Sequence, residues 1–242
     1  MLIAHRGASQ DAQENTLAAF RLGWEQGSDA VEVDVHLSRD GRIIAIHDDN
    51  TERTAGNRRK ARLQTFDELQ SLDAGGHKGP QWAGERIPAL EQVLATVPRG
   101  RGVFIEIKCG VEIVPPLTEL LRRSPLPPKQ ATLIGFNADV VAAAKQANPH
   151  HPVLWLCDIE RERSRRRRQA DELVAVARRA GLDGLDVQAR AALDRAFVEA
   201  VKAAGMTCYT WTVNDPAEAR RLFAAGVDGI TTDRPGWLRR RL

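Results

Sequence analysis

Short apolar runs alternate with longer amphipathic stretches along almost the whole chain. Residues 2–4, 30–37, 42–47, 102–108, 131–136, 153–157, 184–187, 207–213 and 229–232 read as strands, compact runs rich in aliphatic and β-branched side chains. Residues 16–26, 90–97, 112–123, 138–147, 170–180, 191–204 and 216–225 read as helices, with apolar positions such as Leu17, Phe20 and Trp24 on one stripe, and a short helix closes the chain. The runs 30–37 and 42–47 flank Asp40-Gly41, a hairpin turn signal, so the second continues the first. The result is about eight strand and helix units of about 30 residues each, with no composition break or linker between them.

Strands that alternate with helices imply parallel strands and right-handed crossovers. The repeat length predicts an α/β fold of the TIM type, a (β/α)8 barrel, as one domain over residues 1–242. The rival, an open doubly wound sheet, calls for a glycine-rich nucleotide loop after the first strand, and His5-Arg6-Gly7-Ala8 is not one. Residues 50–85 break the rhythm: they are polar, rich in Arg and Gly, and carry one helical stretch at 66–71. They read as an insertion after the second strand, projecting from the C-terminal face where loops shape substrate sites. A solvent-facing insertion without a role is the alternative.

The same alternation gathers candidate chemistry. In Val31-Glu32-Val33-Asp34-Val35 the two carboxylates share one face and the valines the other. Two acids on a buried strand repel and lose hydration, a double cost that a hard divalent cation such as Mg2+ or Ca2+ relieves. Phe104-Ile105-Glu106-Ile107-Lys108 repeats the device, with Glu106 as a third oxygen ligand and Lys108 as a partner for phosphate or for the acids. A buried ion-pair network of Glu32, Asp34, Glu106 and Lys108 fits the same spacing. His5 and His47 end predicted strands, and an imidazole pair can serve as base and acid on opposite sides of a phosphorus centre. Arg6 offers a planar fork for phosphate, and Gly7 permits an unusual backbone turn.

Composition narrows this only slightly. The 242 residues are 43% hydrophobic and 28% charged, with a net charge of +3 that decides nothing about partners. Cys109, Cys157 and Cys208 are odd in number and lie outside any CxxC or Cys/His cluster, so neither a disulfide framework nor a zinc site is suggested and free thiols in a reducing compartment are expected. No apolar run of ~20 residues and no signal-like start are seen, so neither membrane insertion nor export is expected and the cytoplasm is the default. The run at 161–168, with six arginines, suits a solvated surface better than nucleic acid, since no aromatic residues interleave to stack bases.

Taken in order, His5-Arg6-Gly7, Glu14-Asn15-Thr16, Glu32-x-Asp34, Asp40-Gly41 and His47-Asp48 resemble the N-terminal signature of the glycerophosphodiester phosphodiesterase family. Residues 86–91 (RIPALE), Glu106-Ile107-Lys108, Trp211-Thr212-Val213-Asn214 and 229–235 (GITTDRP) extend the likeness to the whole chain. The resemblance implies a (β/α)8 barrel with an insertion after the second strand. It implies a divalent metal, Mg2+ or Ca2+, on Glu32, Asp34 and Glu106, with His5 and His47 as the acid–base pair and Arg6 and Lys108 on the phosphate. It also implies small-molecule substrates, glycerophosphodiesters cleaved to glycerol 3-phosphate and an alcohol by way of a cyclic phosphate; His5 is chosen as the first base, with the reverse order of the two histidines left open.

Weaker signals complete the set. Glu14 and Asn15 suit either helix capping or support of the metal cluster. Trp211 and Phe136, at strand ends, suit either an apolar wall against the glycerol or the core. His36 is expected to reach solvent, and His77, His150 and His151 to lie on the surface. Two competing functions remain: a lysophospholipase D-type activity, disfavoured because the insertion offers few apolar anchors, and a nucleic-acid-binding protein using the arginine run.

Overall fold

Apart from 42–47, which pairs back on 30–37 before it, each predicted apolar run pairs with the next in the barrel, and the last pairs with the first. The computed structural model describes residues 1–159, 166–190 and 193–242, with 166–168 described by backbone alone. Residues 161–165 of the arginine run therefore lie outside the described residues, and 166–168 begin a helix. In chain order the described strands are β1 (Leu2–Ala4), β2 (Ala30–Leu37), β3 (Ile43–Ala45), β4 (Asn50–Thr51), β5 (Asn57–Lys60), β6 (Gly102–Ile107), β7 (Ala131–Gly135), β8 (Val153–Cys157), β9 (Gly184–Gln188), β10 (Thr207–Trp211) and β11 (Gly229–Thr232). Parallel pairing runs β2-β6-β7-β8-β9-β10-β11-β1, and β1 also pairs with β2, which closes the eight-stranded barrel. The expected (β/α)8 fold is present.

Side-chain parity sorts the barrel into two apolar layers. Val31, Val33 and Val35 of β2 pack outward with Phe20, Leu90 and Val103 in the layer beneath the helices. Ile3, Ala30, Phe104, Ile134, Leu154 and Leu156 fill the inside, with Tyr209 and Trp211 packed against them. Ala30 fixes the inward parity of β2, so Glu32 and Asp34 must also point inward, toward the C-terminal end of the barrel.

Helix starts follow local chemistry. Thr16 caps Leu17–Glu25 by accepting from the Ala19 N–H, Asn137 caps Ala138–Ala147, and Asp215 caps Pro216–Ala225 with proline in the first turn. Several ends differ from the sequence reading. The helix expected over 90–97 stops at Leu94, the one over 191–204 starts at Arg195 behind the Asp194 cap, and the strand over 207–213 ends at Trp211. Apolar periodicity continues past each of these points; beyond Leu94 the Thr96 and Val97 N–H groups bond only three residues back, and beyond Trp211 the Val213 N–H still donates to the Thr231 carbonyl outside the regular strand.

β2 outruns the barrel, and β3 returns antiparallel on it through Val35–Ala45, His36–Ile44 and Leu37–Ile43, around the left-handed Gly41. Beyond it the insertion is built rather than loose. It holds the β4–β5 pair and a Phe66–Gln70 helix with a Thr65/Glu68 capping box. It has its own buried cluster of Ile44, Ile46, Ala61, Leu69, Ala74 and Ile87. His36 and His151 depart from expectation: both are buried, with ring nitrogens 3.2 Å from the His47 carbonyl and 3.0 Å from the Ala131 carbonyl. Each uses a backbone acceptor that sequence spacing does not reveal.

Candidate active site

The C-terminal mouth of the barrel holds a cavity of about 260 Å³ lined by His5, Arg6, Glu32, His47, Glu106, Lys108, Asp186 and Trp211, among others. β2 and β6 run in register, Asp34 opposite Glu106, so their inward carboxylates converge. One oxygen each of Glu32, Asp34 and Glu106 lie within 4.8 Å of one another, and all three residues are buried. Glu32 Oε1 and Asp34 Oδ1 are buried without a hydrogen-bond partner. Burial, then the charges of Asp34 and Glu106, push the Glu32 carboxyl well above the usual range, and burial and Asp34 push Glu106 up. Asp34 is desolvated too, but the nearby cations, Arg6 first and Lys108 next, hold its carboxyl below the usual range.

The cations touch the acids without saturating them. Lys108 Nζ lies 2.7 Å from Glu106 and 3.5 Å from Asp34, and Arg6 Nε lies 3.0 Å from Asp34 Oδ2. Three carboxylates against two cations leave a negative excess and orphaned oxygens. That donor set, all oxygen and desolvated, fits a hard divalent cation. Of the readings left open by spacing, the ion-pair network exists, and it leaves Glu32 Oε1 and Asp34 Oδ1 without a partner.

Backbone strain holds the cluster together. Arg6 and Asn15 have left-handed φ of 56° and 57°. In this conformation the Arg6 N–H donates to Glu32 Oε2 at 2.8 Å, and Asn15 grips Asp34 through its side-chain amide at 2.8 Å and the Asp34 N–H at 3.2 Å. Gly7, at φ 83°, lies against the Ala19 backbone, where a Cβ would come within 2.4 Å. Asn15 is thus a support of the acidic cluster, and Thr16 is the cap.

Each histidine is backed by a carboxylate. His5 Nδ1 is 2.7 Å from Asp233 Oδ1, and His47 Nδ1 is 2.7 Å from Asp48 Oδ1. A carboxylate only accepts, so each ring carries its proton at Nδ1 and leaves Nε2 for the cavity. Asp233 is further held by Ser9 and Asn214, and Asn214 also accepts from the Thr232 hydroxyl and the Asp233 N–H. Burial opposes its charge, but hydrogen bonds from His5 and Asn214 bring the Asp233 carboxyl down to about 2.

Arg53, from the insertion, spans the other side. Its guanidinium donates to both oxygens of Asp48 and both of Glu14, and Glu14 also accepts from Arg6. A continuous chain of contacts thus joins His47, Asp48, Arg53, Glu14, Arg6 and Asp34. Trp211 lines the cavity, donates to the Asp186 carbonyl at 3.4 Å, and meets the Phe136 ring edge-on at 5.5 Å.

The proposed ligands and histidines therefore meet in one place, as do Arg6, Lys108 and Trp211. Sequence reasoning missed Arg53, Asp186 and the pairing role of Asp233. The motif at 229–235 contained Asp233, but its partner His5 is 228 residues away in sequence.

Such a cavity, at the strand ends of a barrel with acids, cations and two carboxylate-backed imidazoles, is that of a hydrolase acting on an anionic ester. The family model described as the glycerophosphoryl diester phosphodiesterase family matches residues 5–237, and the chain belongs to that family. It is 32% identical over 242 residues to a glycerophosphodiester phosphodiesterase of Caldanaerobacter subterraneus, covering 97% of this chain and 94% of the relative. Among solved structures, an Oleispira antarctica phosphodiesterase in complex with the product sn-glycerol-3-phosphate superposes with a TM-score of 0.86 at 29% identity, covering 100% of this chain and 96% of the other. The glycerophosphodiester phosphodiesterase of Thermotoga maritima gives 0.80 at 26% identity, covering 99% and 96%. Among the described residues no helix is long and apolar enough to cross a membrane.

Proposed function

We propose that this enzyme hydrolyses glycerophosphodiesters to glycerol 3-phosphate and an alcohol, using His5 and His47 for proton transfer and a Mg2+ or Ca2+ ion held by Glu32, Asp34 and Glu106. The observation that carries it is the convergence of three incompletely neutralised acids at one cavity wall with two histidines each oriented by a carboxylate. Bound there, the ion supplies charge neutralisation and lowers the pKa of a nearby hydroxyl.

Arg6 and Lys108 pair with the phosphate oxygens and stabilise charge as it shifts toward them. His5 Nε2 removes the proton from the glycerol hydroxyl next to the phosphate-bearing carbon. That oxygen forms a bond to phosphorus, the bond to the alcohol breaks, and His47 Nε2 protonates the departing oxygen. Water then opens the cyclic phosphate with the two rings exchanging roles, which restores both. His5 is assigned to the glycerol because its side chain is 16% exposed against 32% for His47, which leaves His47 nearer the mouth where the alcohol departs. Trp211 forms the apolar wall beside the glycerol carbons.

The test is glycerol 3-phosphate release from glycerophosphocholine with Mg2+ or Ca2+. Activity that EDTA abolishes, and losses of at least ~100-fold in His5→Ala and His47→Ala, are expected. Full activity in either histidine variant overturns the assignment.

A further inference from the structure

Asp186 is the one carboxylate lining the cavity that the proposed mechanism leaves without a task. It sits on β9, which lies four strands from β2 in either direction around the barrel, so it faces the acidic cluster from the opposite wall. On the flanking strands it lies in register with Leu156 and Tyr209, and the cavity's apolar lining comprises Ile134, Leu156, Phe136 and Trp211. The residue is 1% exposed, and its Oδ1 has no hydrogen-bond partner. It stands outside the group of three acids that could share an ion, and no salt bridge reaches it among the described residues. Burial, with a smaller contribution from the Glu106 charge, pushes its carboxyl well above the usual range.

A buried polar atom without a partner costs free energy that an apolar side chain of similar size avoids. Structural need does not account for it, since among the described residues nothing bonds to that oxygen. A neutral carboxyl group both donates and accepts, and its complement is another neutral group that does the same, a hydroxyl. Phosphate is excluded, because it is drawn to Arg6 and Lys108 on the other wall. The cavity is also smaller than the ~300–1,000 Å³ typical of sites for larger ligands.

We propose that Asp186 binds the hydroxyl on the glycerol carbon farthest from the phosphate, and thereby selects glycerophosphodiesters over diesters acylated at that carbon. The proposal rests on the reading of the cavity as a glycerophosphodiester site. With the phosphate between Arg6 and Lys108, the neighbouring hydroxyl faces His5 and the far hydroxyl points across the cavity to β9. A lysophospholipid carries an ester at that carbon, which has no proton to donate and brings an acyl chain to a cavity of about 260 Å³. The polar floor, rather than the insertion, then disfavours lysophospholipase D activity.

Two substrates and three proteins test this. Glycerophosphocholine is compared with its analogue built on 1,2-propanediol, which keeps the attacking hydroxyl and lacks only the far one, by choline release from wild type, Asp186→Asn and Asp186→Val. Wild type should prefer glycerophosphocholine in kcat/KM by about 100-fold, because a site built around a hydroxyl rejects the analogue without it. Asp186→Val should lose about 100-fold on glycerophosphocholine and less than ~3-fold on the analogue, while Asp186→Asn, which still donates and accepts, stays within ~10-fold of wild type on both. The melting temperature of Asp186→Val should match or exceed that of wild type, a result that a residue kept for stability would reverse. Equal losses on both substrates overturn the proposal. If Asp186→Val does not fold, wild type alone decides: equal turnover of the two substrates by an active enzyme sinks the hydroxyl contact only. No turnover of either with Mg2+ or Ca2+ sinks the glycerophosphodiester reading as well.

Discussion

Replacing Asp233 by asparagine removes one charge and almost no volume, yet the surrounding contacts make it a severe change. Asp233 Oδ1 faces His5 Nδ1 at 2.7 Å, and Oδ2 accepts from the Asn214 amide at 2.6 Å. An amide placed there has one acceptor and one donor end. With its oxygen toward His5, its NH2 meets the NH2 of Asn214, donor against donor. Asn214 cannot turn over freely, because its oxygen already accepts from the Thr232 hydroxyl and the Asp233 N–H, both at 2.9 Å. With the NH2 toward His5, the ring must accept at Nδ1 and carry its proton at Nε2, so the lone pair that acts as base is lost. Asp233→Asn should therefore lower kcat by about 10²–10⁴-fold, the range for losing a properly oriented general base, with KM changed far less. Glycerol 3-phosphate release at saturating glycerophosphocholine reads the effect.

Stability supplies a second readout for the same variant. The Asp233 carboxyl titrates at about 2 in the folded protein against an ordinary 3.8. A depressed carboxylate stabilises the fold above its unfolded pKa and loses that contribution as pH falls through its folded one. The difference corresponds to about 2 kcal/mol, or a melting temperature lower by about 5 °C for Asp233→Asn near neutrality. The gap between variant and wild type should stay constant above about pH 4 and close toward pH 2. A variant with kcat within ~3-fold of wild type would refute the argument, since His5 would then keep its tautomer without Asp233 or would not be the base.

Other expectations follow from the same geometry. Arg53→Met removes the link between Asp48 and Glu14 and should lower kcat/KM about 10-fold, while its partly exposed ion pairs cost the fold only about 1 kcal/mol, as a denaturation curve would register. In the double variant Glu32→Ala/Asp34→Ala, calorimetry should find no Mg2+ or Ca2+ binding and activity should fall at least ~100-fold. An active, metal-binding double variant would dismiss the acidic cluster as the ion site. Gly7→Ala should destabilise by more than ~2 kcal/mol, since the new Cβ meets the Ala19 backbone and the φ is left-handed; an unchanged melting temperature would contradict the tight approach of these two segments.

Much of this protein is legible one residue at a time. The inward parity of Glu32, Asp34 and Glu106 is fixed by the two-residue period of a strand and by the valines and isoleucines between them, and it needs no knowledge of the partner strand. The barrel follows from repeating that unit about every 30 residues, and the Asp40-Gly41 turn announced the hairpin that carries β3 back along β2 toward His47. These are local rules. Helix ends such as Leu94 and Arg195 were less legible, because apolar spacing extends beyond the regular helix.

Sequence by itself determined the fold class, the strand faces and the identity of the acids, cations and imidazoles, since each depends on neighbours a few positions away. Tertiary structure alone decided which acid serves which base: Asp233 for His5 across 228 residues, Arg53 of the insertion for Glu14 and Asp48, Asn15 for Asp34. It also turned Asp186 from an ordinary strand residue into a carboxyl set apart from the acidic cluster on the opposite side of the cavity. The physical reason is barrel closure. Bringing the last strand beside the first, and β9 opposite β2, creates contacts whose energies depend on distance in space and leave no periodic trace along the chain.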